Sequence, residues 1–277
     1  MTRRAHFPLL IIFLACLVQA GPQVTAGATG GCNASPIGLS VDGNTLALWR
    51  FDESSGDAID ATGSYTLTEV GGVDAVNGRV NGARALVNSG EAFTHAGAAG
   101  LRAIPNAVWS VEALVYLVDT TTGGGALFAL EHPTALTWGM LVKAYSVEAT
   151  TPYVIVGGSG TTQGGAGYQE DSTTETKLAA GWHYVAVVCP SNCVSGSSGL
   201  LVYVNGQQVA SQGAMGSFIP QGTLTGGAVV VGANYTSAST LGNLSNMYID
   251  ELRISTSVRT AAEIRAANLN YTRCVTE

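Results

Sequence analysis

The stretch Trp109-Ser110-Val111-Glu112-Ala113-Leu114-Val115-Tyr116-Leu117-Val118 decides the fold class. Trp109, Val111, Ala113 and Val115 fall on one side, and Ser110, Glu112, Leu114 and Tyr116 on the other. A period of two over ten residues is a β-strand with one face on a core. The same grammar recurs outward from it. Strands are expected at Thr45–Phe51, Gly125–Glu131, Leu136–Tyr145, Tyr153–Gly157 and Trp182–Cys189, then at Leu200–Val204, Gln207–Ser211, Val229–Gly232 and Met247–Ser255. Asn205-Gly206 between two of these runs is a strong hairpin signal, because both turn positions accept positive φ. Near the end, Thr260-Ala-Ala-Glu263 is a capping box ahead of Ile264 and Leu269 and predicts one short helix. No internal repeat interrupts the series. From about Asn33 the chain reads as one all-β domain closed by a helix.

Composition narrows the class from another direction. Hydrophobic residues make up 46% of the 277 and charged residues only 11%. Disorder needs the reverse balance, and a coiled coil needs Glu and Lys at heptad spacing. Thirty-six glycines among β-branched residues suit many strands joined by tight turns. A net charge of −7 excludes general attraction to nucleic-acid phosphates.

The first twenty residues read as a secretory signal. Arg3 and Arg4 precede an apolar run from Phe7 to Val18, and Val18-Gln19-Ala20 offers a small-residue cleavage site before Gly21. Cleavage would take the net charge from −7 to −9 by removing those two arginines. The run is too short for an ordinary membrane span, and no other stretch is long enough, so no transmembrane span is expected in the mature chain. A secreted or cell-surface location follows, with residues 21–36 as a small-residue linker and 37–277 as the folded domain. In an alternative reading Cys16 is a lipid-modified first residue, although Phe13 and Leu17 depart from the usual lipoprotein pattern. Four N-x-S/T sites, at Asn33, Asn234, Asn243 and Asn270, carry meaning only in a glycosylating host. Two lysines beside ten arginines, with abundant Ala and Gly, suggest a GC-rich bacterial genome instead.

Cysteine usage fits export. Cys32, Cys189, Cys193 and Cys274 remain after the signal, an even count that reads as two disulfides with three connectivities open. Cys189-Pro-Ser-Asn-Cys193 is compact enough to close on itself. A bond between Cys32 and Cys274 would tie the two ends of the domain together. Zinc is the rival, but there is no second C-x3-C pair and the histidines are scattered.

Five segments occur in a recognisable order: ALWRFDESSGDAIDATGSYTLT from Ala47, WSVEALVYL, GWHYVAVV, LLVYVNGQQVAS and YIDELRISTSVRTAAEI. Together they resemble the laminin-G-like, concanavalin A-like lectin/glucanase domains of secreted bacterial proteins, over about residues 37 to 270. The resemblance implies a jelly-roll sandwich of two antiparallel sheets with the first and last strands adjacent, which favours Cys32–Cys274. It also implies that Trp49, Trp109 and Trp182 are core residues. The long Gly158–Glu175 stretch and the CPSNC insert depart from the pattern.

Relatives of this kind often hold a structural calcium between the early acidic loop and the acidic pair near the last strand. Here the resemblance points to Asp60 and Asp250, then Glu53. The competing reading has these carboxylates capping turns or pairing with Arg50 and Arg253. For a polysaccharide or glycoprotein glycan, Trp138, Tyr168 and Tyr235 are the candidate stacking rings, against the plainer reading of a loop Tyr packed over a strand edge. Catalysis finds no support. The glucanase E-x-D-x-x-E signature is absent, Asp250 and Glu251 are adjacent and so expected on opposite faces, and there is no G-x-S-x-G, H-E-x-x-H or P-loop. Glu112 and Glu251, joined by His183 or Arg253, read as a structural polar network. A carbohydrate-binding module without catalytic activity is the leading expectation. An extracellular adhesion or scaffold domain binding protein partners stands beside it, and a glycan-active enzyme comes third.

Overall fold

Alternation along Trp109–Leu117 produces a nine-residue central strand, and the other elements are ordered around it. The computed structural model describes residues 36–97, 99–102, 108–118, 126–132, 137–146, 152–157, 170–172, 179–190, 201–211, 228–237, 240–242 and 246–272. Strands β1 (Thr45–Trp49), β2 (Thr68–Val70), β3 (Asp74–Asn77), β4 (Gly82–Leu86) and β5 (Ala92–Ala96) precede one helical turn, α1 (Ala99–Arg102). Then come β6 (Trp109–Leu117), β7 (Ala126–His132), β8 (Thr137–Ser146), β9 (Pro152–Gly157), β10 (Glu170–Ser172) and β11 (Gly181–Cys189). The chain continues with β12 (Leu201–Val204), β13 (Gln207–Ser211), β14 (Ala228–Val231), β15 (Asn234–Ser237), β16 (Thr240–Gly242), β17 (Met247–Ser255) and α2 (Ala261–Thr272). Strands β8, β9 and β10 are described by backbone alone.

Two antiparallel sheets form the sandwich. One runs β13-β12-β11-β6-β17-β4-β3, with β1 also on β17, and the other runs β10-β9-β8-β7-β14-β5-β2. The first and last strands are therefore neighbours. Strand β4 takes the Met247–Ile249 half of β17's free edge and β1 takes the Leu252–Ser255 half. Opposite β6, the register slips between Ile249 and Glu251, so a bulge falls at Asp250 where one edge partner hands over to the next.

The core lies between the sheets. Trp109, Val111, Ala113 and Val115 of β6 meet Phe93, Phe128, Leu130 and Val229 of the other sheet, and Trp49 and Phe51 join them fully buried. Truncating either tryptophan to alanine should cost about 3–5 kcal/mol. The opposite face of β6 is also covered. Leu114, with Tyr184, Ala186 and Val188 of β11, packs under Leu39 of the N-terminal segment and under Ile264 and Tyr271 of α2. The sandwich thus has a second, thinner core on its outer side.

The expected strands are present with small shifts of boundary, and the capping box forms: Thr260 N donates to Glu263 at 2.7 Å and Glu263 N to Thr260 Oγ1 at 3.2 Å. Three expectations change. The segment 68–96 holds four short strands that lack a clear period. Glu170–Ser172, read as part of a loop, pairs with β9. Trp182 is not in the main core but half-buried on the outer face, where it packs against the thinner cluster.

Candidate functional site

The outer core contains a network of buried charge. Glu112 is fully buried and accepts from Arg253 Nε at 2.8 Å and Nη2 at 2.6 Å, and from the Tyr184 hydroxyl. Arg259 stands 3.6 Å away and grips Asp42 with two bonds of 2.6 and 3.0 Å. Glu251 accepts from Leu39 N at 2.5 Å, Arg50 at 3.0 Å and the Tyr271 hydroxyl at 2.6 Å. Burial pushes the Tyr184 and Tyr271 hydroxyls far up, and the adjacent carboxylates reinforce this, so both stay protonated donors. Sheet, N-terminal segment and α2 are stitched together by these bonds, as the polar-network reading expects for Glu112, Glu251 and Arg253. His183 stays apart, with its ring nitrogens facing Ala179 O and the Asn205 amide. Glycoside hydrolysis needs two carboxyls that reach the sugar. Glu112 and Glu251 are sealed under α2 and the N-terminal segment.

The three candidate metal ligands have separate occupations. Asp60 is buried and accepts five bonds, from the backbone N–H groups of Leu48, Thr62, Ser64 and Tyr65 and from the Thr62 hydroxyl. It organises the turn that follows β1. Asp250 Oδ2 caps the β3–β4 turn through Arg79 N at 2.6 Å and Val80 N at 2.7 Å, while its Oδ1 has no partner. Burial, with help from Glu251 and Asp52, raises the Asp250 carboxyl to about 8. The bulge places its carboxyl, like that of Glu251, among outer-face elements, so the two do not point to opposite faces as alternation predicts. Glu53 Oε1 accepts from Ile59 N at 2.9 Å and its Oε2 is unpartnered. Among the described residues no group of three His, Cys, Asp or Glu side chains is placed to hold a metal. Two free carboxylate oxygens fall well short of calcium's six to eight donors.

Of the candidate stacking rings, Tyr168 lies outside the described residues and Trp138 is described only as a backbone position on β8. Tyr235 is half-buried against a cluster of Ala92, Ala129 and Ala228 on the outer side of the second sheet, the packed-tyrosine reading. Pairing of β11, β6 and β17 instead builds an aromatic row that sequence reading missed. Trp182 lies opposite Tyr116, and Tyr116 opposite Tyr248. Tyr116 and Tyr248 stack 5.1 Å apart at 14°, and Trp182 meets Tyr116 edge-on at 5.4 Å. All three are half-buried on the outer face, at the end of the sheet away from Ser110 and Ser255. Their parity was legible, since Tyr116 falls on the Glu112 side of the alternation. Their adjacency needed the register. Such rings offer an apolar body with hydroxyl and indole N–H tips, the amphipathic surface that suits a partner with both C–H faces and hydroxyls.

Cys189 ends β11 fully buried and disulfide-bonded. Cys16, Cys32, Cys193 and Cys274 lie outside the described residues, as does the secretory signal. No helix among the described residues is long and apolar enough to cross a membrane.

Residues 88–265, more than half of the chain, match the family described as the Concanavalin A-like lectin/glucanases superfamily. No curated protein matches the sequence. Among solved structures, domain 4 of AbnA, an extracellular GH43 arabinanase from Geobacillus stearothermophilus in complex with arabinotriose, is similar with a TM-score of 0.55 and 16% identity, covering 81% of this chain and 98% of that one. A structure of botulinum neurotoxin type C, whose cell entry depends on two ganglioside molecules, gives 0.55 and 9%, covering 83% of this chain and 51% of that one. The Trypanosoma rangeli sialidase in complex with 2,3-difluorosialic acid gives 0.55 and 12%, covering 89% and 37%. This chain thus spans nearly all of the first, about half of the second and a smaller part of the third. At such identities these likenesses establish the fold.

Proposed function

The chain belongs to the concanavalin A-like lectin/glucanases superfamily, and from that premise we propose that it is a secreted, lectin-like module that binds a polysaccharide or glycoprotein glycan and performs no catalysis on it. The observation carrying the reading is the half-exposed row Trp182–Tyr116–Tyr248 across three neighbouring strands. Binding asks only for such rings and nearby polar groups, with no activated nucleophile. The absence of catalysis is supported by Glu112 and Glu251, whose oxygens are spent on Arg253, Tyr184, Leu39, Arg50 and Tyr271. Calcium has no part in this reading: Asp60 is spent on turn bonds, and Asp250 Oδ1 with Glu53 Oε2 falls well short of its six to eight oxygen ligands. Addition of Ca²⁺ to EDTA-treated protein should leave its melting temperature unchanged; a rise that Asp250→Asn abolishes would overturn this.

Retention on a panel of neutral and acidic polysaccharides tests the main claim. Wild type should be retained by at least one sugar class, with EDTA leaving retention intact. Trp182→Ala and Tyr248→Ala should each weaken it about tenfold or more, as base-ring stacking of comparable size is lost in other aromatic platforms. Variants that melt like wild type and are retained like wild type refute the row. Absence of retention on every glycan turns the assignment to an adhesion or scaffold domain.

A further inference from the structure

A cavity of about 540 Å³ opens between the β12–β13 turn and α2, and none of Trp182, Tyr116 and Tyr248 lines it. Its volume is within the range of small-ligand sites. On the helix side, Arg265, Asn268 and Leu269 fall at i, i+3 and i+4 and so share one face. On the strand side stand Asn205, Gln207 and Gln208. Gly206 sets the close approach: its φ is +77°, and a Cβ there would lie 3.2 Å from Asn268 Cβ and 3.3 Å from Arg265 Cα. Asn205 is a fixed wall, accepting from Tyr184 N at 3.0 Å and facing His183 Nδ1 at 3.2 Å.

The other polar groups have no such duty. Arg50, Arg84, Arg253 and Arg259 are ion-paired and Arg79 donates to Tyr271 O. Arg265 is exposed and has no ion pair or hydrogen bond, the one guanidinium so placed among those whose side chains are described. The Gln208 amide, which shares the α2 side of β13 with Tyr203, and the Asn268 amide are likewise without a protein partner. A free planar fork of N–H donors matches a carboxylate. Amides supply both donor and acceptor, as a ring of hydroxyls requires, and Leu269, 56% exposed, adds an apolar edge for a C–H face.

We propose that this cavity binds a carboxylated sugar unit, a hexuronate or a sialic acid, with Arg265 on the carboxylate and the Gln208 and Asn268 amides on the hydroxyls. The inference rests on the carbohydrate-binding reading and adds a second site with its own ligand class. Calorimetric titration of the full chain with an oligogalacturonate and with sialyllactose, each beside its uncharged counterpart (carboxyl-reduced oligomer, lactose), tests it. At least one acidic sugar should bind about tenfold or more tightly than its counterpart, the size of a charge-assisted hydrogen bond. Arg265→Gln, on the exposed side of the helix, should erase that preference while leaving neutral-glycan retention through Trp182 unchanged. An acidic preference untouched by Arg265→Gln overturns the site. Equal binding of charged and uncharged forms also overturns it, while leaving the carbohydrate reading intact. No binding of any glycan, acidic or neutral, removes both.

Discussion

Arg253 shows how charge is kept inside this fold. Its guanidinium is buried against a fully buried Glu112, so neither charge keeps its water shell. Such a pair contributes little against a hydrophobic replacement, yet breaking it strands a charge and costs about 3–5 kcal/mol. Arg253→Met should therefore lose that amount in denaturant unfolding, partly softened by Arg259. The double variant Arg253→Met/Glu112→Met should recover most of it, and a double variant as unstable as the single would mean the charges contribute more than their removal costs. Asp42 behaves differently because it is partly exposed. The two bonds from Arg259 hold its carboxyl well below the ordinary value near 4. A depressed folded-state value means that the unfolded chain binds the proton more readily. The Asp42 contribution is then complete above about pH 4 and lost as pH falls below it. Asp42→Asn should flatten the acid limb of melting temperature against pH and leave the neutral region's slope unchanged.

Among the elements, α2 does the most with the least intrinsic preference for its place. It presents Ile264 and Tyr271 to the outer face of the sheet and exposes most of its other residues, so its docking depends on few contacts and on its start. Thr260→Ala removes the hydroxyl that caps Glu263 N and should cost about 1 kcal/mol. Tyr271→Phe leaves the ring against Tyr184 but takes a donor from buried Glu251, and should cost about 1–3 kcal/mol. Hydrogen exchange should show α2 amides losing protection in both variants ahead of the β6 amides. The helix was legible because its capping box is a local pattern, and β6 because its side chains alternate over a full strand. The strands from Thr68 to Ala96 were not, since each spans three to five residues. In β4 the core-facing positions are Arg84 and Leu86, and Arg84 is fully buried, paired with Glu69 and set over the Phe93 ring. A charge on the inner face breaks the pattern that periodicity reads. The aromatic row was half legible: which face each ring takes follows from parity, but the contact of Trp182, Tyr116 and Tyr248 exists only through β-register. The bulge at Asp250 is likewise a property of the pairing, and it is what reversed the expected facing of the Asp250–Glu251 pair.

At the scale of the whole molecule, both ends of the domain meet on one sheet. Strands β1 and β17 pair from Thr45 to Trp49, and the N-terminal segment continues past them until Ile37 N donates to Asn270 O at 3.3 Å. Cys32 lies five residues before Ile37 and Cys274 four residues after Asn270. A chain spans at most about 3.3–3.6 Å per residue, and sequence separations this short do not forbid a disulfide's spacing of about 5.5–6 Å between Cα atoms. We propose Cys32–Cys274 as the bridge, which leaves Cys193 for the disulfide-bonded Cys189. Closing nearly the whole domain into one loop removes over about 4 kcal/mol of unfolded-state freedom, whereas the short Cys189–Cys193 loop removes less. Peptide mapping of the non-reduced protein should recover a linked pair spanning the two termini. Cys32→Ser, Cys274→Ser and the double variant should then share one lowered melting temperature, because each removes the same bond. If the two single variants differ from each other, or if mapping links Cys32 to Cys189 or Cys193, the ends are joined by the hydrogen-bonded pairing of β1 with β17 and by the cap of α2 alone.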